Sequence, residues 1–165
     1  MSGSFSINRA PVLTLWAAVV AQRLGFRWAE SLSLGKALAG LNAQSKGRRL
    51  GIFKPHEEKT RAARERERSE QFWIELCGRP VPARNTADGI RAVSGQAVVT
   101  AESAEAYLEM KFGDRLEAAR AAMTRLAHAY PPRQLAAEAF ALYMAFRPAI
   151  PEGVKGWGAK GLLDL

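Results

Sequence analysis

Pro11-Val12-Leu13-Thr14-Leu15-Trp16-Ala17-Ala18-Val19-Val20-Ala21-Gln22-Arg23-Leu24-Gly25-Phe26 is the run on which the fold turns. Nearly every position from Val12 to Leu24 is apolar, which describes a helix covered on most sides rather than one with a wet face. Asn8 offers a cap, and Pro11 suits a first turn, where its missing N–H costs nothing. Gly25 supplies a left-handed stop. A second helix follows over about Trp28–Ala43, with Leu32, Leu34, Leu38 and Leu41 for the core. Gly35 and Gly40 lie inside it at a cost of about 1 kcal/mol each relative to alanine. They predict close packing or an early break near Gly40.

On these residues the chain resembles a helix-turn-helix over about twenty residues. Ala21 is the small residue four places before Gly25, and Phe26 leads into the second helix. The pattern departs at Ser31, where an apolar residue would fall; Leu32 comes one place late. The resemblance implies a second helix that enters the major groove.

Outward from this pair, residues 1–7 read as a frayed start rich in Ser and Gly. Residues 55–71 are a charged linker or solvated helix almost free of large apolar groups, with Glu57–Arg61 and Glu65–Arg68 at helical spacing. In 72–99, Phe72–Cys77 and Pro80–Ala83 read as a hairpin around Gly78-Arg79, the two prolines confining the second strand to an edge. Ile90–Val93 and Gln96–Val99 form a second pair. Residues 100–148 return to helix: Thr100 caps Ala101–Phe112, Gly113 stops it, Asp114 and Glu117 open the next as a capping box, and Pro131-Pro132 start the third. The tail, 149–165, packs on the body through Trp157. The fold class expected is therefore mainly α: one compact domain of about five to six helices, with a small inserted β-hairpin or wing.

The chain has 165 residues and a formal net charge of +8, and the charge is not spread evenly. Residues 1–54 hold eight Lys/Arg against one acid, Glu30, while 55–70 and 102–148 each balance to zero. Local asymmetry of this kind attracts a polyanion. The one cysteine, Cys77, excludes an intramolecular disulfide and fits a reducing compartment. The Pro11–Ala21 run is well short of the ~20 apolar residues a span needs and is closed by Gln22-Arg23. The expected location is the cytoplasm, with no membrane contact.

The strongest candidate site is Gln44-Ser45-Lys46-Gly47-Arg48-Arg49, read as a loop after the second helix. Lys and Arg beside backbone N–H groups freed by Gly47 would hold phosphate oxygens, and Asn42 and Gln44 would reach base edges. Arg23, Arg27 and Lys36 would add phosphate contacts. The plainer reading is a basic surface kept for solubility. Gly156-Trp157-Gly158-Ala159-Lys160-Gly161 spells G-x-G-x-x-G, but with four residues left it cannot open the helix that a dinucleotide site needs. His56, His128 and Cys77 are too few and too irregular for zinc, and a lone cysteine at a strand end is usually a small core residue. No catalytic residue, metal or cofactor is assigned. The reading is a non-catalytic nucleic-acid-binding protein, DNA before RNA, with a homodimer as one assembly. Its alternatives are a regulatory module with an acidic protein partner and a small enzyme of unnamed reaction.

Overall fold

In the computed structural model, residues 4–49, 71–95, 97–148 and 160–164 are described, the side chains of 4, 44–49 and 164 excepted. The chain opens on a strand, where the sequence reads as a frayed start. Strand β1 (Ser4–Asn8) pairs antiparallel with β6 (Lys160–Asp164), Phe5 opposite Leu163 and Ile7 opposite Gly161. Ile7 and Leu163 face the core, while Leu162 stays exposed. Trp157 and most of the tail lie outside the described residues.

Helix α1 (Arg9–Arg23) follows at once and is buried on every side from Pro11 to Ala21. Its centre is Trp16, whose Nε1–H donates to the Ala139 carbonyl at 2.9 Å. The helix ends in a Schellman arrangement. The Phe26 N–H bonds to the Ala21 carbonyl and the Gly25 N–H to that of Gln22, both at 3.1 Å, with Gly25 at φ +119°.

Helix α2 (Trp28–Arg49) runs back along α1 as the other half of an antiparallel hairpin. Gly35 marks the crossing: a Cβ there would sit 2.5 Å from the Thr14 carbonyl oxygen and 2.9 Å from the Ala18 nitrogen. Close approach, and not a break, is what Gly35 signals. Gly40 has nothing within 4 Å and does not interrupt the helix, which continues six residues past Ala43.

The central sheet is β2 (Phe72–Leu76), β3 (Arg79–Thr86), β4 (Gly89–Ser94) and β5 (Ala97–Val98), in that order. Cys77 and Gly78, at φ +50° and +77°, make the two-residue turn between β2 and β3. Positive φ at both positions is what the right-handed strand twist favours. That turn explains why two prolines lie in an interior strand instead of the predicted edge. Counting from Leu76–Arg79, Pro80 and Pro82 fall at non-hydrogen-bonded positions toward β2. The pairing with β4 begins only at Ala83, so no ladder bond is lost.

The free edge of β4 is covered by α2. Short β5 leaves β4 with inward-pointing N–H groups at Ile90 and Ala92, and an open edge invites pairing with other chains. The Glu30 carboxylate accepts from Ile90 N–H at 2.9 Å and, at the helix start, from Arg27 N–H at 3.0 Å. The Ser33 hydroxyl accepts from Ala92 N–H at 2.8 Å and donates to the Val99 carbonyl at 2.6 Å. Sheet and helix are thus joined by side-chain bonds in place of a strand.

Those bonds set a pH dependence. The Ile90 and Arg27 N–H groups, helped by the charges of Arg27 and Arg91, hold the Glu30 carboxyl below its ordinary value of 4.5. A depressed folded value stabilises the fold at pH above the unfolded value, and that contribution disappears as pH falls through the folded one. Replacing Glu30 with Gln should therefore lower stability at neutral pH and flatten its decline below about pH 4.5. Urea midpoints measured across that range check this; parallel pH curves for the two proteins would refute it.

Helices α3 (Ala101–Phe112), α4 (Leu116–His128) and α5 (Pro132–Phe146) complete the body. Thr100 caps α3, its Oγ1 accepting from Ser103 N–H at 3.1 Å. The capping box expected at Asp114 is absent: Gly113–Arg115 forms a 3-10 turn that feeds directly into α4. The mainly α expectation is corrected by the two antiparallel sheets, one of two strands and one of four. The arrangement is α+β. No helix among the described residues is long and apolar enough to cross a membrane.

Candidate nucleic-acid interface

The N-terminal basic residues are distributed by α2, which at 1.5 Å per residue is about 33 Å long. Arg23 ends α1 and Arg27 precedes α2, Lys36 lies near its middle, and Asn42 to Arg49 at its end. The nine predicted residues therefore do not form one cluster.

The segment 44–49 is helix and not the predicted loop. In a helix the N–H at 47 belongs to the ladder, so the phosphate cradle expected from Gly47 is not formed there. What replaces it is a helical overhang. Gly35 crosses α1 at Thr14 and Ala18, so Asn42 is level with the first residue of α1. Residues 43–49 continue for two turns beyond that level, about 10 Å. Positions 42, 46 and 49 share one stripe, which extends the stripe of 31, 35 and 38; position 48 is on the far side.

Two neighbouring elements add charge that the local sequence does not advertise. Arg79, at the start of β3, donates from Nη2 to the side-chain Oδ1 of Asn42 at 3.2 Å. Asn42 is thus partly committed to a neighbour. Lys36 lies 5.8 Å from the Tyr107 ring centroid, and Lys111 lies 6.0 Å from the same centroid. Acids outnumber bases on α3, but the helix sorts them by face. Glu102, Glu105 and Glu109 occupy one flank, while Ser103, Tyr107 and Lys111 occupy the flank toward α2. Only the helical period reveals this sorting.

At the other end of α2, Arg23 is tied to the body and Arg27 sits beside the Glu30 carboxylate. Arg23 donates from Nη2 to the Tyr130 carbonyl at 3.2 Å, and the backbone N–H of exposed Arg27 is bound to Glu30. Residues 30–35 are all buried between α1 and the sheet. A helix covered over that length, and again at Ala37, Leu38 and Ala39, presents no free face to a DNA groove there, so any groove contact falls to residues beyond Ala39.

Trp28 is not an open stacking platform, since the Arg120 guanidinium lies 3.7 Å from its ring centroid. Trp73 is 52% exposed on β2, opposite Pro82. No family model matches the chain, and neither the curated proteins nor the solved structures contain a detectable relative.

Cys77 is buried, and burial pushes its thiol up to about 12. At neutral pH it is a thiol and not the thiolate that nucleophilic attack requires. Among the described residues no group of three or more His, Cys, Asp and Glu could hold a metal ion. His128 is exposed on α4, and His56 lies outside the described residues, as does the charged segment 55–70.

Proposed function

We propose that the protein binds nucleic acid without catalysis, DNA before RNA, through the second half of α2. The observation that supports this reading is the continuity of α2. After Glu30 its remaining nineteen residues carry Lys36, Lys46, Arg48 and Arg49 and no acid. Lys111 and Arg79 extend the same basic surface onto α3 and β3. Cations of this kind meet phosphates, so binding is weakly selective for sequence and strongly dependent on salt. Cations in the last turns also balance the negative end of the helix dipole, worth about 0.3–1 kcal/mol, and that role needs no ligand. Cytoplasmic location belongs to the same proposal and rests on the single cysteine.

The test is fluorescence anisotropy of a labelled duplex at two salt concentrations. Binding should be micromolar or tighter at low salt. Changing Lys46, Arg48 and Arg49 together to Ala should reduce the salt slope by about one for each of these cations that neutralises a phosphate. Lys36→Ala and Lys111→Ala should each weaken binding with a smaller effect. An absence of binding at low salt would remove the nucleic-acid reading. Salt-sensitive binding to an acidic protein, with none to DNA, would replace it with the regulatory alternative.

A further inference from the structure

The end of α1 and the end of α4 enclose a cleft of about 200 Å³, lined by Val19, Gln22, Arg23, Thr124, Ala127 and His128. Val19 and Ala127 are buried and apolar. The other four side chains can each donate a hydrogen bond, through an amide, a guanidinium, a hydroxyl and an imidazole, and no carboxylate lines the cleft.

Arg23 is held in place by its Nη2 bond to the Tyr130 carbonyl. Its Nε is buried and has no hydrogen-bond partner among the described residues. A buried N–H without an acceptor is destabilising, and a ligand oxygen reaches this one only with a shift of the guanidinium toward the cleft. Arg120 lies one helical turn before Thr124, and its stacking on Trp28 fixes a further cation along the same face of α4.

We propose that this cleft binds a phosphoryl group. Donors from two helices, one of them a guanidinium, suit the non-bridging oxygens of a phosphoryl group, two in a diester and three in a monoester, and the guanidinium supplies the charge. The oxygens come either from a nucleic-acid backbone or from a small phosphate ester. The site is separate from the α2 overhang, and its chemistry stands whether or not the overhang binds DNA.

The experiment is a titration of the ¹⁵N-labelled full chain with inorganic phosphate, followed by amide shifts at fixed ionic strength, with acetate as the control. Phosphate should give saturable shifts centred on Gln22, Arg23, Thr124 and His128, and acetate should not. Changing Thr124 to Val together with His128 to Ala removes two donors near the surface. It should weaken phosphate binding about ten-fold while leaving the melting temperature unchanged. Diffuse or unsaturable shifts, equal shifts from acetate, or unchanged affinity in the double variant would overturn the proposal. Two further arms identify the source once phosphate binds. Shifts at the cleft from duplex DNA assign it to the backbone; shifts from a nucleoside monophosphate alone assign it to a small ester. A duplex that bound at 42–49 while phosphate failed at the cleft would reject this site and support the α2 reading, so the two fail separately.

Discussion

Replacing Gly35 with Ala should cost the fold about 2 kcal/mol or more, even though alanine is the better helix former by about 1 kcal/mol. The added methyl would lie 2.5 Å from the Thr14 carbonyl oxygen and 2.9 Å from the Ala18 nitrogen. Both are backbone atoms of α1, so no side-chain rotation relieves the overlap. The helices must separate, and α1 has little room to move because its residues from Pro11 to Ala21 are all buried. Gly40 gives the opposite sign in the same helix. It has open space around it, so Gly40→Ala should gain up to about 1 kcal/mol through helix propensity. Urea unfolding of the two variants side by side makes the comparison. Equal stability would mean that the helices do not cross at Gly35.

The second large effect concerns two buried serines two positions apart on α2. Ser33→Ala should destabilise by about 2–4 kcal/mol, because the Ala92 N–H and the Val99 carbonyl both lose their bond to one hydroxyl inside the protein. Ser31 is as deeply buried, but its Oγ has no hydrogen-bond partner among the described residues. Ser31→Ala removes a group that burial penalises, so it should be neutral or stabilising by up to about 1 kcal/mol. Thermal or chemical denaturation separates the two. A Ser33→Ala protein as stable as wild type would disprove the edge-capping role of that hydroxyl. The Glu30 variant tests the neighbouring cap.

Much of the helical body is legible in the sequence because its signals are local. The nearly continuous apolar run of α1, Gly25 as its stop, Thr100 as a cap and Pro131-Pro132 as a start each act within a few residues. The strands in 72–99 are visible for the same reason. What stays hidden depends on partners remote in sequence. Phe5 and Ile7 alternate over too short a stretch to read as a strand until Leu163 is placed beside them. Pro80 and Pro82 look like edge markers until the turn at Cys77-Gly78 fixes which way each missing N–H points. At the candidate interface, Arg79 and Lys111 escape notice because their basic surroundings come from α2, not from their own segments. The overhang reads as a loop because Gly40 and Gly47 suggest breaks, and nothing local says that the helix continues.

The pairing of β1 with β6 has a consequence in time. Ser4 and Asp164, first and last of the described residues, face each other across the two-stranded sheet. The α1–α2 hairpin needs only neighbouring sequence and can close early, whereas β1 must wait for the far end of the chain before its hydrogen bonds have partners. Enclosing Ile7 therefore depends on a contact of very long sequence separation, which lengthens the search for the native pairing.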